Sequence, residues 1–151
     1  MKNTIITIDG HSGCGKSTLA KSLAEELKFL YIDTGAMYRA ISLFFLRSDL
    51  IFKEGELKEG YKERMNDAKI DFSIPNSKGK SFVRLNSEIV EEEIRGIQIS
   101  NLVSQVSKNK AVREKMVSIQ KSYGKENNLI MDGRDIGSIV FPNANLKFWL
   151  T

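Results

Sequence analysis

Gly10-His11-Ser12-Gly13-Cys14-Gly15-Lys16-Ser17 places four residues between Gly10 and Gly15 and follows the latter with a lysine and a hydroxyl. Such a segment can wrap backbone amides around phosphate oxygens, because Gly10, Gly13 and Gly15 present no Cβ to the approaching anion. If a helix follows at once, its unpaired first N–H groups and positive dipole end strengthen the attraction. Lys16 is then the mobile cation for the β- and γ-phosphates of a nucleoside triphosphate, and the Ser17 hydroxyl is the ligand for Mg2+. Thr18 supports the α-phosphate side, so the run Gly10 to Thr18, with His11, Ser12 and Cys14 inside it, is the expected binding segment. Asp132, closing the run LIMD, is the acidic residue expected at the end of a neighbouring strand, in indirect contact with the metal. The plain alternative is a glycine-rich turn with a surface lysine, and the flanking elements argue against it.

Those elements read as follows. Thr4 to Asp9 (TIITID) is short, β-branched and bounded by glycine, the pattern of a buried parallel strand. Leu19, Ala20, Leu23, Ala24 and Leu27 recur on one face of a helix from about Lys16 to Lys28. Phe29 to Asp33 (FLYID) reads as a second strand, and Thr34 can cap a helix carrying Met37, Tyr38, Ile41, Leu43, Phe44, Phe45 and Leu46. The middle changes character: alternating β runs at Ile70 to Ile74, Ser81 to Leu85 and Glu88 to Val90 surround a turn at Pro75 to Lys80, which predicts a small antiparallel insertion over about 69–92. Helical periodicity returns in Ile97 to Ser107 and Ala111 to Tyr123, with Gly124 as the stop signal. Leu129 to Asp132 and Leu146 to Leu150 (LKFWL) read as two further core strands joined through GRDIGSIVFPNAN. The expected fold is α/β, a mostly parallel sheet flanked by helices, in a single domain over 1–151.

The bulk numbers narrow the function classes. A chain of 151 residues that is 41% hydrophobic and 28% charged suits one globular core, and its apolar runs are too short for a membrane helix. Lys and Arg exceed Asp and Glu by 23 to 19, an excess that suits polyanionic small substrates and nucleic acid equally. The basic residues are interspersed with acids and no aromatic–basic platform is evident, so nucleic acid is not the expected partner. One cysteine excludes an internal disulfide, and Met1-Lys2-Asn3 leads straight into a strand, so a reducing cytoplasm is the expected compartment; a monomer is expected as well.

Four separated segments then coincide: GHSGCGKST, YIDTGAMYRA at residues 31–40, EEIRGIQISNLVSQVSKNKAVRE across 92–114, and MDGRDIGSIVFPNA at 131–144. Together they closely resemble bacterial cytidylate kinases, over nearly the whole chain, and set it apart from adenylate and thymidylate kinases. The resemblance implies a P-loop kinase core with a small sheet inserted on the acceptor side. It also implies ATP as phosphoryl donor, Mg2+, and CMP or dCMP as acceptor. Matched position by position, Thr34 resembles a residue near the cytosine, Arg39 and Arg134 resemble ligands of the acceptor phosphate, and Ser104 and Arg113 resemble contacts to pyrimidine and sugar. Asp135 matches an acidic residue beside the acceptor sugar, and Arg95 an arginine to which no fixed role attaches. Lys16, Arg134 and Asp135 are the residues the resemblance puts closest to catalysis. Phosphoryl transfer needs alignment and charge compensation more than covalent help, and a guanidinium grips phosphate with two parallel donors.

His11 stands where these kinases often carry proline, and Ser17 where some carry glycine; neither change opposes phosphate binding. His11 reads as a loop residue without a proton-transfer partner, and Cys14 as a small loop residue. The family continues past LKFWL into an arginine-bearing lid, so a fragment is one expectation, with weaker triphosphate binding and little transfer if the chain is the whole product. The competing functions are a catalytically silent nucleotide-binding module of the same fold and a P-loop kinase for another small molecule, such as shikimate or a different nucleoside monophosphate. The YIDTGAMYR and MDGRDIG segments argue against the latter.

Overall fold

The computed structural model describes residues 2–73 and 81–151, and the turn expected at Pro75 to Lys80 lies outside them, as does Ile74. The described chain falls into two compact units, one holding residues through Thr34 together with Val117–Thr151, the other lying between Gly35 and Met116.

The first unit is built on a parallel sheet. Strand β1 (Ile5–Gly10) leads into helix α1 (Lys16–Leu27), which returns to β2 (Leu30–Asp33). Later in the chain β6 (Leu129–Gly133) and β7 (Leu146–Leu150) join the sheet, in the order β2-β6-β1-β7, with every pairing parallel. Every residue of β1 and β6 is buried, which explains why both read as continuous apolar runs instead of alternating ones. Ile6, Ile8 and Ile130 pack with Ala20 and Ala24 of α1, while Leu19 and Leu27 of the expected apolar face stay exposed. The register sets Asp9 against Gly133 and Asp33 against Asp132, so the carboxyl ends of three strands lie side by side, where open α/β sheets hold their ligands.

Two readings of this unit need correction. β7 occupies the expected residues but is not a core strand: it is an edge strand among the described residues, paired with β1, and Leu146, Phe148 and Trp149 are exposed because both of its faces are left largely uncovered. Gly124 does not stop a helix; it lies inside α5 (Lys110–Glu126). A Cβ there would stand 2.6 Å from Phe141 Cε1 and 3.2 Å from Ile5 Cδ1, so close packing accounts for the glycine. A π-type turn, Ile136–Val140, fills part of the β6–β7 connection and was not expected.

The second unit begins inside α2 (Thr34–Arg47), whose Ala36, Met37, Ala40, Ile41, Phe44 and Phe45 are buried. The short helix α3 (Tyr61–Met65) was not legible in the sequence. Strands β3 (Ile70–Phe72), β4 (Val83–Leu85) and β5 (Glu88–Ile89) form the antiparallel sheet expected in the middle of the chain. Asn86 and Ser87 reverse β4 into β5 with φ of 49° and 71°, the left-handed pair that a two-residue hairpin turn uses. Asp71 and Arg84, opposite each other in register, join through two 2.8 Å hydrogen bonds. Helices α4 (Ile97–Val106) and the first part of α5 complete this unit, burying Ile99, Leu102, Val106, Val112 and Met116. Among the described residues no helix is long and apolar enough to cross a membrane.

Candidate nucleotide site

β1 ends on Gly10 and α1 begins on Lys16, so the glycine-rich segment connects a strand to a helix as its chemistry requires. Gly13 and Gly15 take φ of 79° and 90°, which residues with a side chain rarely adopt. Gly15 caps α1 without any side-chain hydrogen bond, and no acidic residue sits in the first turn. The opening amides of the helix and its positive end therefore lack a carboxylate of their own. Lys16 Nζ donates to the carbonyl of His11 at 3.3 Å, bending back over the loop. His11, Ser12, Gly13, Gly15 and Thr18 are exposed, and Cys14, Lys16 and Ser17 are half-buried. The His11 ring meets Trp149 edge to face at 5.9 Å.

Beside this loop lies a group of oxygens. Asp132 is 1% exposed, and its Oδ2 accepts a 2.9 Å hydrogen bond from the Tyr31 hydroxyl. Burial first, and then the neighbouring Asp33 carboxylate, push the Asp132 carboxyl up to about 6, against the opposing pull of Tyr31, Ser17 and Lys16. Burial and the same two carboxylates raise Tyr31 as well, so it stays a protonated donor. Negative charge is thus expensive here without a cation, and the donors are all hard oxygens. Both properties suit Mg2+, which takes one or two carboxylates plus phosphate and water instead of a full protein cage. Among the described residues no group of three or more His, Cys, Asp and Glu is placed to hold a metal.

The remaining candidates divide between the units. In the first, Thr34 is buried and its hydroxyl donates to the Asp132 carbonyl at 2.8 Å. Arg134 is exposed and Asp135 half-buried, both between β6 and the turn at Ile136. In the second, Arg39 on α2 donates through Nη1 to the Ile94 carbonyl at 3.1 Å and the Ser100 hydroxyl at 2.9 Å. Ser104 is exposed on α4, and Arg113 on α5 donates to the Ser107 carbonyl at 3.3 Å. Arg95 is exposed and lies 3.7 Å from Glu91.

Four residues escaped the sequence reading, Tyr31, Asp33 and Asp9 in the first unit and Ser100 in the second. Tyr31 and Asp33 stand two apart in a strand and so share a face, a signal that FLYID carried. Asp9 is buried, and its two carboxylate oxygens accept the amides of Ile136 at 2.8 Å and Gly137 at 2.9 Å. Its partners lie far along the chain, and no local pattern points to them.

Comparison with known proteins agrees with the motifs. The family model described as cytidylate kinase matches residues 6–151. A cytidylate kinase of Flavobacterium johnsoniae is 45% identical over all 151 residues, which span 66% of that protein. One from Porphyromonas gingivalis is 46% identical over 148 residues, 97% of this chain and 64% of the relative. One from Parabacteroides distasonis is 44% identical over 151 residues, again 66% of the relative. The chain therefore spans just under two thirds of the length of these relatives.

Proposed function

The chain belongs to the cytidylate kinase family, and from that premise we propose that its protein transfers the terminal phosphoryl group of ATP to CMP or dCMP. The observation that carries the proposal is the loop itself: an uncapped helix start behind left-handed Gly15, Lys16 folded over the loop, and the Ser17–Asp132 oxygens beside it.

In this reading the loop amides from Gly10 to Thr18 hold the triphosphate, and Lys16 leaves the His11 carbonyl for the β- and γ-phosphate oxygens. The Ser17 hydroxyl and the Asp132 carboxylate, the latter oriented by the Tyr31 hydroxyl and acting indirectly, are the groups that would hold Mg2+, and the ion would supply charge neutralisation toward the phosphates. Arg39 and Arg134 grip the acceptor phosphate, whose oxygen must stand in line with the bond being broken. Ile94 and Ser100 hold the Arg39 guanidinium by one nitrogen, which limits its rotation before the acceptor arrives. Thr34, Ser104, Arg113 and Asp135 are assigned to the cytosine and sugar.

The test is a coupled ADP-release assay with ATP and CMP, dCMP, UMP or AMP, run on this chain and on a version lengthened to match the relatives. ADP release that depends on CMP or dCMP in the lengthened protein is the expected result. Release driven by UMP or AMP, or none with any acceptor, refutes the proposal.

A further inference from the structure

Asp9 touches the connection after β6 in two ways. Its backbone pairs in the sheet with Gly133, the residue before Arg134, and its side chain accepts the amides of Ile136 and Gly137, the residues after Asp135. Arg134 and Asp135 are therefore bracketed at both ends by a single residue, which is itself followed directly by Gly10 of the phosphate loop. The carboxylate is 6% exposed, so these are buried, charge-assisted hydrogen bonds of the stronger kind. The approach is also tight: a Cβ on Gly137 would stand 2.8 Å from Thr7 Oγ1 and 3.3 Å from Asp9 Oδ2. Thr7 Oγ1 is itself a buried side-chain atom with no hydrogen-bond partner among the described residues.

We infer that Asp9 is a positioning residue for Arg134, tying the loop that carries this arginine to the strand that delivers the phosphate loop. Asp9 touches neither nucleotide; it fixes the peptide path from which the Arg134 guanidinium reaches the acceptor phosphate. The inference rests on the proposed role of Arg134 toward CMP.

Two substitutions test it. Asp9→Asn preserves the shape but turns an amino group toward one of the two amides. Gly137→Ala leaves β1 unaltered and pushes the turn away from Asp9. Calorimetric titration with CMP and with Mg-ATP should show CMP binding weakened about tenfold or more in each variant, with Mg-ATP binding within roughly twofold of wild type. Adding Thr7→Ala to Gly137→Ala removes the nearest atom the new methyl strikes and should recover part of the CMP affinity. Hydrogen exchange reads the clamp without any ligand: the Ile136 and Gly137 amides should lose protection in Asp9→Asn. Equal weakening of CMP and Mg-ATP in both variants marks a merely structural residue and overturns the inference, as do unchanged exchange rates. If the wild-type chain binds Mg-ATP but not CMP, the functional reading fails, and the exchange experiment still decides whether Asp9 holds the loop. Should Asp9→Asn not fold, Gly137→Ala alone gives the affinity split.

Discussion

Asp132 offers a prediction whose sign is opposite to ordinary expectation for a buried, hydrogen-bonded residue. An acid whose native value is raised holds its proton more tightly folded than unfolded, so it stabilises the fold only when protonated. For Asp132 that contribution is lost as pH climbs from about 4 through about 6 and stays lost at neutrality. The difference between the ordinary 3.8 and about 6 corresponds to about 3 kcal/mol at any pH well above both. The group is 1% exposed, so solvent screening removes little of it. Asp132→Asn keeps an oxygen for the Tyr31 hydroxyl and deletes the charge. The nucleotide-free variant should therefore be more stable than wild type at pH 7.5 by up to about 3 kcal/mol, or roughly 6–12 °C in a domain of this size. Near pH 4 the gap should shrink below about 1 kcal/mol, because wild-type Asp132 is then itself largely neutral. Thermal unfolding at the two pH values, without nucleotide or Mg2+, measures both. A variant less stable than wild type at pH 7.5, or a gap that does not change with pH, refutes the reasoning.

Further outcomes follow from the same geometry. Lys16→Ala should abolish detectable Mg-ATP binding in a calorimetric titration while leaving the unfolding temperature nearly unchanged, since among the described residues Nζ hydrogen-bonds to an exposed loop carbonyl. Arg39→Ala and Arg134→Ala should each raise the CMP requirement far more than the ATP requirement in steady-state kinetics of the lengthened protein, and equal effects on both would contradict the acceptor role. Gly124→Ala gains helix propensity of up to about 1 kcal/mol but drives a methyl to 2.6 Å from Phe141, so denaturant unfolding should show a net loss of about 1 kcal/mol. A net gain would mean that the Phe141 ring moves aside freely.

What the sequence made legible was what local pattern encodes. β1 and β6 announced themselves as buried apolar runs, and the loop between β1 and α1 by its glycines, because period and backbone conformation are written over neighbouring residues. The three β runs in the middle of the chain were readable for the same reason. Residues whose meaning depends on distant partners were not. Gly124 reads as a helix stop until Phe141 supplies the reason for it, and β7 reads as core because hydrophobicity reports what a strand is made of and not what covers its faces. α3 spans only Tyr61–Met65, too short for a period to appear. The loop half of the candidate site, Gly10 to Thr18, could be listed from the sequence alone. Asp9 could not, since it acts through amides more than a hundred residues away, and for Tyr31 the strand pattern gives the face but not the distant carboxylate it holds.

The most direct test of the central claim, that this chain carries a triphosphate loop together with a cytidine monophosphate site, is titration of the 151-residue protein with CMP, UMP and AMP in the presence of a non-hydrolysable Mg-ATP analogue. The account predicts saturable binding of CMP that is weaker or absent for UMP and AMP and is lost in Arg39→Ala. Equal binding of all three monophosphates, or CMP binding untouched by that substitution, would contradict it.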